Sequence, residues 1–484
     1  MLVMKFGGTS VGSGERILHV ARIVLAHQDQ QPVVVTSALS GATDALLALA
    51  QAAAAGDDAA CASQLEALVS RHHEAALAIN PEADWSALHQ KLELLGAAVQ
   101  DALEQGEPSS VACDSLVAWG ERLAVVLVAG ALHILVCPTL AWDRPIVATD
   151  EHALPLAGST RRLAEEALAL AGKRLLVVPG FIAHKPDGRM TTLGRGGSDY
   201  SATLLAAALQ AEACWIYTDV DGILSADPRV VKEAQILPTV SPQMAGRLSY
   251  SGAKVLHPLS VAPVARLGIP LRVRNTFRPD HPGTLITAQP GKHPGTAQAI
   301  TSRRDLAAIL LAGEGLPEVA HLFGRMCQVM TRAGIEMVLS VHPGTGYDPQ
   351  ILVKAAQAAA AVEQLTQEFA SECGHGQIQS ITVREGQAVC TVIGEELGGA
   401  VLAQVQHTLA AEGIAPLVQM AFPSALSLVL PDHELEHAIR SIHRQVIEPS
   451  LRKQGAAPAY SHKATLAALN DDEEPERRVA ASCL

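Results

Sequence analysis

The chain has 484 residues, of which 49 % are hydrophobic, 18 % charged and 3 % aromatic, a balance that excludes a disordered chain and leaves alanine, leucine and valine to fill the interior. A formal net charge of −13 argues against a nucleic-acid partner, which needs a basic face, although an acidic total still allows a local basic pocket. The length suggests two to four domains at about 150 residues each. Eight cysteines lie scattered without metal-ligand spacing, the pattern of buried thiols in a reducing compartment. The first residues enter a strand without a charged-then-apolar leader, and the notable apolar runs fall short of the roughly 18 to 20 residues that span a bilayer. The expectation is a cytoplasmic protein with no membrane partner.

Short apolar runs alternate with helical patterns from the start: a strand at Leu2 to Phe6, a helix from about Ser13 to Gln28, a strand at Pro32 to Ser37 and a helix after Gly41. This ordering predicts an α/β fold with an open, mostly parallel sheet. From Asp44 to Gln105 the chain is rich in alanine and leucine and poor in β-branched residues, a helical lobe. Further strands are expected at Ile134 to Pro138, Leu175 to Pro179, Cys214 to Thr218 and Pro270 to Val273, each ending at polar or glycine-rich residues, where open sheets place their ligands. Prolines and glycines cluster between Gly283 and Thr301 and mark a domain boundary.

Beyond that boundary two similar α+β units are expected, over 300–376 and 377–450. The first holds strands at Ala307 to Leu311, Ile335 to Val341 and Gln350 to Val353, with a helix over Pro317 to Ala333. The second holds strands at Ile378 to Arg384, Gln387 to Ile393, Ile414 to Met420 and Ala425 to Leu430, with helices over Ala400 to Glu412 and to near Val446. The stretch 451–484 reads as a flexible tail.

The chemistry concentrates in a few segments. Lys5-Phe6-Gly7-Gly8-Thr9-Ser10-Val11 places a lysine on a strand just before two glycines and two hydroxyl residues, so bare backbone amides and a full positive charge can meet a polyphosphate. The lysine precedes the glycines, unlike a Walker loop, and the glycine spacing is not the dinucleotide fingerprint. Gly194-Arg195-Gly196-Gly197-Ser198-Asp199 combines close backbone approach with a forked cation suited to a carboxylate. Thr218-Asp219-Val220-Asp221-Gly222 brings hydroxyl and acidic groups to a strand end, suited to nucleotide hydroxyls or a hydrated magnesium ion. Taken singly, Asp199 also reads as a helix cap, Glu121 as an exposed helical charge, Lys254 as a surface amine, and Asp221 and Asp227 as turn formers.

These segments, with Ser37 to Thr43, Gly120-Glu121-Arg122 and Gly252 to Pro258, occur in the order seen in aspartate kinases of the amino-acid kinase superfamily, which the chain resembles strongly over 1–290 and more weakly to about 450. The resemblance implies an amino-acid kinase catalytic domain, a mostly parallel sheet sandwiched by helices, followed by two ferredoxin-like ACT-type modules. It implies transfer of the ATP γ-phosphoryl group to the β-carboxylate of L-aspartate, with Mg2+, as the first step of aspartate-family amino-acid biosynthesis. The alternatives are a kinase for another amino-acid carboxylate and a weakly catalytic regulatory or amino-acid-sensing subunit.

By the same resemblance Lys5 and Asp199 are catalytic, Asp199 organising the lysines of the site. Ser37, Thr43, Glu121, Arg195 and Ser198 bind the amino acid, and Lys5, Gly7, Gly8, Thr9, Thr218, Asp219, Arg229 and Lys254 bind the nucleotide. No residue is assigned to hold a metal directly. A homodimer and an amino-acid effector on the ACT-like units are further implications. Three departures stand out. Leu224 replaces a frequent tyrosine, Ser241 to Tyr250 lacks the usual Glu-rich helix signature, and His321-Leu322 with His342-Pro343-Gly344-Thr345-Gly346 replaces the effector-site pattern. A histidine where relatives have glycine obstructs close backbone approach, so altered or absent inhibition by lysine or threonine is expected.

Overall fold

A computed structural model describes residues 1–105, 110–253, 255–291, 295–313, 319–341 and 349–453. These fall into two compact units, one within Met1–Leu224 and Lys232–Lys292 and the other within Ser225–Val231 and His293–Gly455.

The strands of the first unit are β1 (Leu2–Phe6), β2 (Pro32–Thr36), β3 (Thr139–Ala141), β4 (Val147–Ala148), β5 (Leu175–Pro179), β6 (Ile182–His184), β7 (Met190–Thr192), β8 (Ala213–Thr218), β9 (Thr239–Val240), β10 (Leu271–Asn275) and β11 (Thr284–Ile286). Its helices are α1 (Gly14–Leu25), α2 (Ala42–Ala54), α3 (Asp58–Ile79), α4 (Ser86–Gln105), α5 (Ser110–Val117), α6 (Trp119–Ile134), α7 (Ala157–Ala171), α8 (Gly197–Ala208), α9 (Pro242–Tyr250) and α10 (Ala262–Ala265). Eight strands form one sheet in the order β3-β5-β2-β1-β8-β10-β11-β9, and β4-β6-β7 form a smaller one. Within the large sheet only the β10/β11 pair is antiparallel.

β1 lies at the centre, and its side chains alternate between two covered faces. Leu2, Met4 and Phe6 join one core with Ile17 and Val20 of α1 and Leu123 and Leu127 of α6, while α8 packs on β1 with Lys5 on the other face. Lys5 is in register with Val35 of β2 and Ile216 of β8, so the carboxyl ends of three neighbouring strands stop at one level. Their following residues, Gly7, Ser37 and Asp219, therefore share one rim, where an open parallel sheet gathers its ligands.

The strand expected at Ile134 to Pro138 is instead the last residue of α6 and the turn that follows it, and the sheet strand begins at Thr139. That apolar run continues a helix apolar on every side, and the chain leaves it only at Val136, whose φ of 62° breaks the backbone. A short apolar run carries no period that separates buried helix from buried strand. Cys113–Ile134 has the length and hydropathy of a membrane span, yet 83 % of its most apolar window is buried inside the protein.

The second unit contains β12 (Ala299–Ala312), α11 (Val319–Arg332), β13 (Met337–Val341), β14 (Gln350–Lys354), α12 (Ala358–Glu368), α13 (Ala370–Gly374), β15 (Ser380–Ile393), α14 (Gly399–Ala411), β16 (Val418–Phe422), β17 (Ala425–Pro431), α15 (Asp432–Ile442) and α16 (Glu448–Lys453). Its antiparallel sheet has the order β13-β14-β12-β15-β17-β16, two β-α-β-β-α halves joined through β12 and β15. Ala307, Ile309 and Leu311 face α11 and α12, while Leu306 and Ala308 form a second cluster with Val338, Leu352, Val389 and Val429.

The two strands expected at Ile378 to Arg384 and Gln387 to Ile393 are one strand, β15, and β12 is far longer than Ala307 to Leu311. The pattern break at Glu385-Gly386 is not a reversal. Gly386 takes φ 65° and Asp305 takes φ 56° where the β12/β15 register shifts between Arg303 and Ala308, the behaviour of a bulge. The two long strands thus lie side by side at the seam, β12 in the first half and β15 in the second. Of the expected tail, residues 451–453 close α16 and 454–484 lie outside the described residues.

The turn between β10 and β11 depends on Gly283, which has φ 70° and whose missing Cβ would lie 1.9 Å from the Val273 carbonyl oxygen. Gly283→Ala is expected to destabilise the protein by at least about 2 kcal/mol, visible as a lowered urea midpoint; an unchanged midpoint would refute this account of the turn.

Candidate active site

Beyond β1 the chain turns at Gly7, whose amide donates to the Tyr217 carbonyl of β8 at 3.2 Å, and the Ser10 and Val11 amides donate back to the Gly7 carbonyl. The Ser10 hydroxyl is buried and lies 2.6 Å from the Thr276 hydroxyl, which ties the glycine loop to the end of β10. The loop is then handed to α1, capped by the Ser13 side chain. A Cβ on Gly7 would lie 3.4 Å from the Lys5 ammonium, and one on Gly8 only 3.0 Å from the Ala38 carbonyl. The glycines therefore keep the backbone close to both the lysine and the Ser37 to Thr43 loop. Thr9 lies on the same loop, its carbonyl accepting from Arg16 at 3.0 Å.

The Lys5 Nζ stands 2.5 Å from Asp199 Oδ1, with both side chains largely buried. Asp199 sits in the first turn of α8, whose N-cap is Gly196 at φ 69°. A side chain at Gly196 would meet the His257 Cβ at 2.2 Å, so glycine is required there by conformation and by space. Ser198 is buried against Gly180, where an added Cβ would fall 2.7 Å from the Ser198 Cβ. Arg195 stands exposed on the loop and makes no ion pair with another described residue.

Glu121 occupies the first turn of α6 and is 3 % exposed. Its Oε1 accepts from the Ala38 amide at 3.1 Å, its Oε2 is buried without a partner, and Gly120 lets α6 press against Ala38. Burial pushes the Glu121 carboxyl up to about 8, opposed by the Ala38 amide, the residue's own amide and the Lys5 charge. Ser37 and Thr43 are both half-buried, Ser37 at the end of β2 and Thr43 in the first turn of α2.

Thr218 is half-buried at the end of β8 and donates to the exposed Asp219 at 3.1 Å. Asp221 is fully buried and accepts from Asn275 at 2.7 Å and from Arg278, long-range contacts that its reading as a turn former did not contain. Two further expected nucleotide residues are Arg229 and Lys254. Arg229 is exposed in the Ser225–Val231 segment, which groups with the second unit, and is paired with Asp227 two residues before it. Lys254 lies outside the described residues. Leu224 is half-buried and its backbone forms an isolated antiparallel bridge with Ile236.

The residue that sequence reasoning quoted without a role is His257. Its ring packs against Gly196, and burial pulls it below the ordinary imidazole range while the Asp199 charge acts the other way. The Gly252 to Pro258 motif contained the signal, but only the fold shows which loop it touches.

The amino acid kinase family matches residues 1–275. The bifunctional aspartokinase/homoserine dehydrogenase of Haemophilus influenzae is 29 % identical over 92 % of this chain and 56 % of that protein; the chain thus spans about half the length of this relative. Chloroplastic aspartokinase 3 of Arabidopsis thaliana is 28 % identical over 92 % of this chain and 81 % of that one. Among solved structures, E. coli aspartokinase III with aspartate and ADP superposes with a TM-score of 0.78 at 26 % identity, over 92 % of this chain and 99 % of that one. The same enzyme with lysine and aspartate gives a TM-score of 0.75.

An ionisable carboxyl whose folded value lies above its ordinary 4.5 contributes most stability below that pH and loses it as pH rises towards about 8. Glu121→Gln is therefore expected to gain stability relative to the wild type between pH 5 and pH 8, by on the order of a few kcal/mol. Parallel denaturation curves for both proteins across that range would contradict the burial argument. With the glycine loop, the buried lysine and the matched profile over 1–275 in place, the chain belongs to the amino acid kinase family.

Proposed function

We propose that the chain is an aspartate kinase, transferring the γ-phosphoryl group of ATP to the β-carboxylate of L-aspartate to give 4-phospho-L-aspartate, the entry reaction of aspartate-family amino-acid synthesis. The observation that carries this reading is the buried Lys5–Asp199 pair beside the glycine loop, accompanied by a buried carboxylate, Glu121, with one oxygen still open. A carboxylate acceptor is already anionic and needs no strong general base. The protein must align two anions and offset the charge between them. Lys5 supplies the mobile charge at the transferred group and Asp199 holds it in place. Gly7, Gly8 and Thr9 present backbone to the phosphates, while Thr218 and Asp219 stand at the neighbouring strand end.

Glu121 is fitted to the substrate ammonium, since an incoming cation satisfies its open oxygen and offsets the cost of its burial. Arg195 and Ser198 would hold the α-carboxylate, with Ser37 and Thr43 lining the same pocket. Magnesium carried by the nucleotide phosphates belongs to the same reading. When bound, it would neutralise phosphate charge. Seven free cysteines among the described residues, four of them buried, support a cytoplasmic location. A homodimer belongs to the same reading.

The second unit is proposed to respond weakly or not at all to lysine and threonine. His321 is exposed in the first turn of α11, and the expected turn at 342–346 lies outside the described residues.

Hydroxamate trapping with ATP, magnesium and L-aspartate, beside L-glutamate and with lysine and threonine added, tests both statements. Aspartyl hydroxamate formed with aspartate alone is the expected product, little changed by either effector. No hydroxamate with any amino acid would overturn the catalytic reading, and clear inhibition would overturn the regulatory one. Lys5→Ala should lower turnover about a hundredfold to a thousandfold or more with the fold intact by circular dichroism; a fully active variant would refute its role.

A further inference from the structure

The loop that carries Arg195, Ser198 and Asp199 leaves β7, a three-residue strand at the edge of the β4-β6-β7 sheet. Within that sheet β7 pairs only with β6. Two adjacent hydroxyls at its end converge on one acceptor: Thr191 donates to Asp114 Oδ2 at 3.0 Å and Thr192 donates to Asp114 Oδ1 at 3.2 Å. Successive strand side chains point to opposite faces, so both oxygens of one carboxylate are engaged only if it bridges the strand's unpaired edge or its end. Asp114 lies on α5, and its carbonyl accepts from the Ala118 amide at 3.0 Å, immediately before α6 and Glu121.

From this geometry we propose that Asp114 is a positioning residue, a clasp that fixes the α5–α6 junction against the root of the Gly194 to Asp199 loop. It thereby sets the spacing between the Glu121 side of the amino-acid pocket and the Arg195 and Ser198 side. The loop needs such an anchor because it carries two left-handed glycines, Gly194 at φ 70° and Gly196 at φ 69°, and glycine restrains the backbone little. Downstream it is fixed by α8. Upstream the Leu193 amide donates to the Phe181 carbonyl at 2.8 Å, and the clasp sits one residue before that bond. Hydroxyl bonds to a charged acceptor are stronger than neutral ones. The nucleotide side hangs from β1 and β8 and meets the clasped loop only through Asp199, which the first turn of α8 itself fixes.

The assignment of the pocket rests on the aspartate kinase reading, so the test has one arm that does not. Amide hydrogen exchange is measured on the full-length wild type, Asp114→Ala and the Thr191→Val/Thr192→Val double variant, without ligands. Both variants should exchange about tenfold or more faster at 193–199, with 5–11 changed less than about twofold. In the trapping assay the KM for aspartate should rise about tenfold to a hundredfold while that for ATP holds within about twofold, Asp114→Asn falling between wild type and alanine. Unchanged exchange at 193–199, or equal rises in both KM values, would overturn the clasp. Should Asp114→Ala fail to fold, the valine pair decides by the same exchange readout. A wild type inactive on aspartate would overturn the substrate assignment, while the exchange data still decide the clasp.

Discussion

A lysine and an aspartate held 2.5 Å apart in the interior set the terms for the rest of the catalytic unit. Taking both charges out of water is expensive, and a buried pair is weak evidence of stability because apolar residues of similar size often do as well. Its value lies in what it holds ready. Lys5 is fixed on the central strand and Asp199 on the first turn of α8, so the ammonium is restrained before any nucleotide arrives. The glycines that follow β1 let the backbone stand beside that charge without a side chain in the way. Register does the rest, since β1, β2 and β8 end level and their loops meet without further adjustment.

The two carboxylates of the site are treated differently. Asp199 has a cation at contact distance, whereas Glu121 is buried with only an amide on one oxygen. In the free protein Glu121 is therefore a destabilising group, and its raised ionisation reports that imbalance. A ligand bringing an ammonium group corrects it. One group is organised in advance, and under the proposed function the other is completed by the substrate. The fold tolerates the second because α6 is buried along most of its length, and apolar packing there outweighs one uncompensated carboxyl.

Much of this was legible in the sequence because the informative segments are local. Lys5 with its two glycines, the Gly194 to Asp199 loop and the strand ends at Ser37 and Asp219 each announce themselves within a few residues, and the structure gathers Lys5, Gly7, Gly8, Glu121, Ser198 and Asp199 around the carboxyl ends of adjacent strands. What was not legible depends on long-range contact. Asp114 meets Thr191 and Thr192 across 77 and 78 positions, and a lone aspartate in a short helix carries no signal of that. His257 could be quoted but not placed. Arg229 pairs with Asp227, only two residues away, a contact that the order of the motifs does not show. In the second unit a glycine that reads as a turn proved to be a bulge, so two expected strands became one.

The central claim is that a carboxylate oxygen of the amino acid attacks phosphorus beside Lys5. The most direct measurement supplies aspartate with 18O in its β-carboxylate, runs the reaction with ATP, traps the product with hydroxylamine and examines the released phosphate by 31P NMR. Attack by the carboxylate carries the labelled oxygen into the new bond to phosphorus, and hydroxylamine at the carbonyl then frees phosphate bearing that label. Labelled phosphate is the predicted result. Phosphate released at the same rate without label would mean that water is the acceptor, and would contradict the account.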